Sequence, residues 1–283
     1  MENAQRPTMR SRKLGQRLRA IREERGLTLQ QAARVLNRTP SSLSKLETGK
    51  RGIRRPALEN MLDRYEFTDP EQRDAIFDLA RRAPSIKGWW HRYEGKLAPS
   101  MLDYISLEAE ARSIRSFQLH LVPGLMQSDD YARAVIASGI SQEEEPDVDG
   151  LTEIRLHRQK ILLKERAPRL WAIVSEGALR QQFGGPQVLK GQLKHLIELS
   201  RLPNVVFQAL PFAVGAHAGV NGSFTTLTTN ELSVVLVENL TSGWYLENPD
   251  DIRRHEIVFD QLRGAALSPD DSRSFLERLI SES

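Results

Sequence analysis

Apolar residues recur at helical spacing on both sides of a short polar break within residues 26–49. The first run follows Thr28, a residue type that caps helix N-termini, and Gln31 completes a capping box three residues later. Asn37-Arg38 fills the break, because asparagine tolerates a left-handed backbone, and Pro40 suits the first position of a second helix. The pattern therefore predicts two short helices joined by a tight turn. Their inward positions are Leu29, Ala32, Ala33, Leu36, Leu43 and Leu46.

Three further amphipathic segments surround this helical pair. One runs from Arg12 to Arg25, and two others open at Pro56 and Pro70, each at a position where a helix tolerates proline. Five helices of this size and order predict an all-α domain over residues 1–82.

The outward face of the second short helix is small, polar and basic. It carries Pro40, Ser41, Ser42, Ser44 and Lys45. Such a face suits a helix that enters the major groove of DNA. The alternative is an amphipathic helical hairpin of the kind found in any all-α domain.

The residues of this hairpin resemble the helix-turn-helix of the phage-repressor (xenobiotic-response-element, XRE) family. The resemblance lies in L-T-L-Q-Q-A-A followed by R-T-P-S-S-L-S-K-L-E-T-G-K. It implies that the exposed helix face reads base edges and that Glu47 has a structural role. Leu29 departs from the family pattern, where a glutamine often holds a phosphate. The resulting candidates for base reading are Pro40, Ser41, Ser44 and Lys45, and those for phosphate contact are Arg12, Thr28, Arg38, Thr39, Lys50, Arg51 and Arg54.

Charge is unevenly distributed along the chain. Residues 1–64 contain 16 Lys and Arg against 6 Asp and Glu, whereas the remainder contains 24 against 31. An excess of ten positive charges in one small domain indicates a nucleic-acid partner for that domain.

Residues 83–100 break the helical pattern and predict a linker. We expect Trp89 and Trp90 to pack on the following domain, since tryptophans usually pack. The alternative role for the pair is a stacking platform for bases.

Residues 101–283 predict a second domain of α+β class. A helix is expected from Met101 to about His120, followed by strands over residues 169–174, 204–210, 222–228 and 232–237. The last two strands read as a hairpin, and closing helices are expected from Asp250 and Pro269. The predicted arrangement is a set of helices around a small antiparallel sheet. An acidic loop is expected over residues 140–149.

The second domain resembles the C-terminal domain of WhiJ-like actinomycete regulators. The matching segments include V-P-G-L-M-Q-S-D-D-Y-A-R-A and L-P-F-x-x-G-x-H-x-G. The resemblance implies a transcription regulator, often encoded beside a small partner protein in antitoxin-like pairs. Trp89, Trp90 and His217 are the candidate residues of a ligand or partner pocket, although a lone histidine is more typical of a structural role.

No catalytic motif accompanies these features. The chain lacks cysteine, a His-Glu-x-x-His helix, a G-x-S-x-G elbow and a phosphate loop. We therefore expect no enzymatic activity, no cofactor and no metal. No apolar stretch predicts a membrane span and the N-terminus is not typical of a signal peptide, so a cytoplasmic protein is expected.

The sequence thus predicts a DNA-binding transcription regulator that acts as a homodimer on an inverted repeat. Its second domain would dimerise and respond to a ligand or a small partner protein. The alternatives are an antitoxin-like protein that represses its own operon and a DNA-tethered enzyme.

Overall fold

The chain folds into two units, one of residues 1–106 and one of residues 107–283. The computed structural model describes residues 7–83, 88–93, 95–139, 147–238 and 243–282. The boundary falls inside a helix, Pro99–Ala109, which is α6 in the numbering used below. In the described ranges, no stretch of helix combines the length and apolarity that a membrane crossing requires.

The N-terminal unit begins with the five helices that the sequence predicts. They are α1 (Met9–Glu24), α2 (Leu29–Val35), α3 (Pro40–Glu47), α4 (Arg55–Arg64) and α5 (Pro70–Arg82). One core joins them, because each helix turns its apolar face inward. Its buried members include Leu14, Leu18, Ile21, Ala32, Ala33, Leu43, Leu46, Leu58, Met61, Leu62, Ile76 and Leu79.

The segment predicted as a linker contains local structure. Trp89–Tyr93 forms a short 3-10 turn, in which Trp90 and Tyr93 are buried, and α6 follows at Pro99. The rings of Trp89 and Trp90 pack edge to face, with their centroids 5.9 Å apart. Both tryptophans belong to the N-terminal unit. Residues 84–87 and Glu94 lie outside the described ranges.

The C-terminal unit is built on a mixed sheet, of which six strands lie in the described residues. The order is β3-β2-β1-β4-β5-β6. The first three strands are parallel and the others antiparallel. Their bounds are β1 Ser113–Gln118, β2 Arg169–Ser175, β3 Val205–Leu210, β4 Phe224–Thr228, β5 Ser233–Glu238 and β6 Gly243–Leu246.

This sheet confirms the α+β class and corrects two details of the prediction. The helix expected from Met101 to about His120 is wrong beyond Ala109, because Ser113–Gln118 forms the central strand β1. Ile114 and Phe117, the two apolar residues of β1, are both buried but lie on opposite faces of the sheet, so the segment shows no regular alternation of polar and apolar positions. The sheet is also mixed and larger than the small antiparallel one expected, since β1 pairs in parallel with β2. The predicted β4–β5 hairpin is present, with Thr228 opposite Ser233.

Helices pack around the sheet. They are α7 (Asp129–Ser138), α8 (Val148–Gln159), α9 (Glu176–Arg180), α10 (Pro186–Leu199), α11 (Pro249–Ala265) and α12 (Pro269–Glu282). Phe259 and Leu262 of α11 join a core with Phe117, Ile173 and Val235 from the strands. Of the acidic loop expected at residues 140–149, residues 140–146 lie outside the described ranges, and α8 begins at Val148.

Candidate functional site

The turn between α2 and α3 is held by the capping residues that the sequence indicates. The Thr28 hydroxyl accepts a hydrogen bond from the Gln31 backbone N–H, and the Thr28 N–H donates to Gln31 Oε1 at 2.8 Å. Asn37 adopts a left-handed backbone with φ of 52°. Thr39 Oγ1 accepts from the Ser42 N–H at 3.1 Å. These contacts define where α3 begins and therefore which of its side chains point outward.

A buried ion pair holds the far end of α3 against α1. Arg22 of α1 donates from Nε to Glu47 Oε1 at 2.6 Å and from Nη2 to Oε2 at 2.8 Å. Their side chains are only 8% and 5% exposed. Arg22 also donates to the Leu27 carbonyl oxygen, in the segment before α2. The hydrogen bond to Glu47 raises the pKa of Arg22. A bidentate ion pair of this kind fixes the orientation of α3 and also its contact with α1.

Tyr65 lies beside this ion pair. Burial, with a smaller contribution from the charge of Glu47, raises the pKa of Tyr65 to about 12. A tyrosine phenol is already neutral at physiological pH, and the raised pKa keeps it neutral next to Glu47 at more alkaline pH as well.

Two glycines allow α1 and the end of α3 to touch through their backbones. A Cβ at Gly15 would lie 2.4 Å from the Glu47 carbonyl oxygen. A Cβ at Gly49 would lie 2.7 Å from the Arg12 nitrogen, and Gly49 has a φ of +72°. Gly49 is recognisable in the sequence as a helix end. Gly15 is not, because a glycine inside a helix gives no sign of the neighbour it admits.

The predicted base-reading residues share one exposed face of α3. Pro40, Ser41 and Lys45 are exposed and Ser44 is half-buried. Leu43 and Leu46 are buried on the opposite side. This face is short, uncharged at its N-terminal end and cationic one turn later.

The loop after α3 adds further positive charge next to this face. Lys50, Arg51 and Arg54 are all exposed. The Arg51 backbone N–H donates to the Lys45 carbonyl oxygen, and its Nη1 donates to Ser42 Oγ at 3.2 Å. The structure thus brings the predicted phosphate-binding loop alongside the predicted base-reading helix.

The other predicted phosphate contacts are partly engaged within the protein. Thr28 donates both its N–H and its hydroxyl to Gln31 Oε1, so phosphate binding there requires that bond to open. The Thr39 hydroxyl caps α3. Arg12 is half-buried and donates to the Pro7 carbonyl oxygen at 2.8 Å. Arg38 is half-buried at the turn.

Of the three residues suggested for a ligand or partner pocket, Trp89 and Trp90 belong to the N-terminal unit and His217 to the C-terminal unit. His217 belongs to the C-terminal unit, where its Nδ1 accepts a hydrogen bond from the Gly219 N–H at 3.1 Å. The rings of His217 and Phe117 pack in a T-shaped arrangement with their centroids 5.9 Å apart. These two contacts fix the position of the His217 ring in its loop. Within the described residues, no three His, Asp or Glu side chains are grouped as a metal ion would require.

Comparison with known proteins finds two family models that match the chain. A family model described as a domain of unknown function (DUF5753) matches residues 101–278. A second model, described as a helix-turn-helix domain, matches residues 13–76 and so includes α2 and α3. No significant match is found among curated proteins or solved structures. The N-terminal match indicates a DNA-binding regulator. The chain therefore belongs to the DUF5753 family, and it carries a helix-turn-helix domain ahead of the family domain.

Proposed function

We propose that this protein is a sequence-specific transcription regulator of the phage-repressor (XRE) type that reads its operator with α3. The observation that carries the proposal is the exposed face of Pro40, Ser41 and Lys45 on a helix whose far end is held by the buried Arg22–Glu47 pair. Base edges are read by side chains that a rigid element presents to the major groove.

The adjoining charges support the same role. The loop of Lys50, Arg51 and Arg54 lies beside α3, and residues 1–64 carry a large excess of positive charge. Phosphate contacts from such a loop position a protein on the duplex, whereas the helix supplies the specificity.

The proposed regulator acts as a homodimer on an inverted repeat. One recognition helix contacts too few base pairs to define a unique genomic site, so proteins of this type pair two copies on adjacent half-sites. The C-terminal unit offers the larger apolar surface for pairing. Among the described residues, the large apolar side chains that are substantially exposed are Val35 in the N-terminal unit and Leu163, Phe212, Val220, Trp244 and Ile257 in the C-terminal unit.

The C-terminal unit is also where the proposal places regulation, by a ligand or by a small partner protein. The resemblance to WhiJ-like actinomycete regulators supports this division of labour, and the antitoxin-like pairing found among them supports a protein partner as the second candidate effector. In either case the effector would change DNA affinity by favouring one arrangement of the dimer. A cytoplasmic protein without enzymatic activity fits this role.

Selection from a random DNA duplex library with the full-length protein tests the proposal. We expect enrichment of an inverted repeat with half-sites about 10 bp apart, centre to centre. The control is a Ser41→Ala/Lys45→Ala variant, which is altered at two exposed positions of α3 and should lose the enriched motif. A library that stays random with the wild-type protein would contradict sequence-specific binding. Enrichment of a single half-site would contradict binding as a dimer.

A further inference from the structure

A cleft opens on the C-terminal unit between α11 and the loop that precedes β4. Its volume is about 210 Å³. A cavity of about 150 Å³ is large enough for benzene, so the cleft suits a molecule built on one ring or a short branched chain. We call it the α11 cleft. Its main lining residues are Gly219, Phe224, Val237, Arg254, His255 and Val258.

The loop wall of the α11 cleft is held in place by the sheet. Gly219 packs so closely on Phe117 that a Cβ would lie 2.2 Å from the ring. The Gly222 N–H donates to the Gly219 carbonyl oxygen, which closes a tight turn. Ser223 Oγ accepts a hydrogen bond from the Leu119 N–H at 3.0 Å. The wall is therefore formed before any ligand arrives, as is usual for small-molecule sites.

The floor of the cleft is apolar and one side of it is aromatic. Phe224, Val237 and Val258 supply the apolar surface. The rings of His255 and Phe224 pack edge to face, with their centroids 5.0 Å apart. His255 Nδ1 lies 2.7 Å from the Asp251 carbonyl oxygen. Because a carbonyl oxygen can only accept, Nδ1 donates this hydrogen bond, which fixes the orientation of the ring.

The polar side of the cleft carries a cation. Arg254 lines the cleft, and its side chain is 77% exposed. Its contact with Asp251 is long, with 3.9 Å between Nη1 and Oδ1. The guanidinium thus keeps donors for a second carboxylate, which it can bind through two parallel hydrogen bonds.

We infer that the α11 cleft binds a small organic acid, with its carboxylate on Arg254 and a ring or branched chain over Phe224, Val237 and Val258. The inference goes beyond the DNA-binding role. That the α11 cleft binds an organic acid does not depend on the proposed function. That this acid is the effector of a transcription regulator rests on the proposed function.

The neighbouring residue Arg253 provides a matched control for Arg254. Both arginines lie on α11, and each has an acidic residue three positions earlier at nearly the same distance, 3.8 Å for Arg253–Asp250 and 3.9 Å for Arg254–Asp251. Their side chains are similarly exposed, but Arg254 lines the cleft and Arg253 does not. A general effect of removing one positive charge from α11 would therefore appear in both variants.

Calorimetric titration of the full-length protein without DNA tests the inference, with benzoate as the probe and benzamide as its neutral isostere. We expect saturable benzoate binding at least tenfold tighter than benzamide binding. Arg254→Gln should weaken benzoate binding at least tenfold, and Arg253→Gln should leave it unchanged. Val258→Phe fills the cleft and should weaken the binding of both benzoate and benzamide. The melting temperature of this variant is recorded to confirm that it folds.

Three results would overturn the inference: no saturable benzoate binding, equal affinity for benzoate and benzamide, or equal losses in the two arginine variants. DNA binding by the same samples separates this site from the proposed function. Lost ligand binding with intact DNA binding would reject the α11 cleft alone. Intact ligand binding by a protein that recognises no DNA sequence would reject the proposed function alone.

Discussion

Arg22 and Glu47 form a buried ion pair in which Arg22 donates a hydrogen bond to each carboxylate oxygen of Glu47. Removing one partner leaves an uncompensated charge inside the N-terminal unit, which costs about 3 to 5 kcal/mol in comparable buried pairs. We expect Arg22→Ala to lower the unfolding free energy by that amount and to weaken DNA binding, because α3 loses its hold on α1. Urea unfolding followed by a probe in the N-terminal unit measures the loss.

The exposed Arg19–Glu23 pair is the control, since Arg19 lies three residues before Arg22 on the same helix and its side chain is 62% exposed. Arg19→Ala should change stability little, because exposed pairs are screened by water. Equal effects of the two substitutions would show that burial of Arg22–Glu47 is not what matters.

Lys45 and Arg54 differ in the kind of DNA contact that we assign to them. Lys45 lies on the exposed face of α3, and Arg54 follows in the loop before α4. Lys45→Ala should cost about 1 to 3 kcal/mol of binding and relax preference at one base pair. Arg54→Ala should weaken all sequences alike, because phosphates carry no base identity. Affinities for a panel of single-base operator variants distinguish the two patterns. Identical loss of specificity in both variants would reject the assignment.

His195 of α10 links stability to pH. Burial lowers the pKa of His195 below its ordinary value of 6.5, and Nε2 is buried with no hydrogen-bond partner among the described residues. The unfolded chain binds a proton at this position more readily than the folded one, so the folded state loses stability as the pH falls below about 6.5. His195→Gln should flatten that part of the stability curve between pH 7 and the lowered pKa. Urea midpoints across this range measure it, and the exposed His120→Gln variant is the comparison.

At the scale of elements, the features that can be predicted from the sequence are those that depend on neighbouring residues, such as helix caps and turns. Thr28, Asn37 and Thr39 act within a few residues of their own position, so their roles can be inferred from local spacing. Strand β1 was missed because Ile114 and Phe117 lie three residues apart, a spacing typical of a helix, and its pairing partners are far away in the chain. The close approach of the α1 backbone at Gly15 to the Glu47 carbonyl of α3 cannot be predicted from the residues around Gly15, because α3 lies elsewhere in the chain. The α11 cleft was missed for the same reason, since its walls come from separate segments.

Gly15 tests the packing of α1 on α3. Gly15→Ala places a methyl group 2.4 Å from the Glu47 carbonyl oxygen, so the two helices must separate. We expect the variant to lose stability and DNA affinity together, despite the higher helix propensity of alanine. Gly191→Ala in α10 is the control, because a Cβ there meets nothing within 4 Å. That change should stabilise the protein by up to about 1 kcal/mol. Stabilisation by Gly15→Ala would contradict the close contact.

At the scale of the whole molecule, the proposed homodimer predicts a mass in solution of twice the 32.1 kDa of the chain. Light scattering at micromolar concentration measures it. Trp244→Glu with Ile257→Glu should dissociate the dimer, because both exposed apolar side chains belong to the C-terminal unit. Val35→Glu places the same charge on the exposed apolar side chain of the N-terminal unit and should leave the dimer intact. The opposite result would assign pairing to the N-terminal unit.

The central position of β1 affects how the protein forms during synthesis. Ser116 in β1 bonds across to Thr225 in β4, which is 109 residues further along the chain. Ribosomes add about 5 to 20 residues per second, so β1 waits for roughly 5 to 20 seconds before its antiparallel neighbour exists. Helices α1–α5 contact one another within the first 82 residues and need no such delay. The helix-turn-helix can therefore form on the nascent chain while the sheet of the C-terminal unit still lacks β4, β5 and β6.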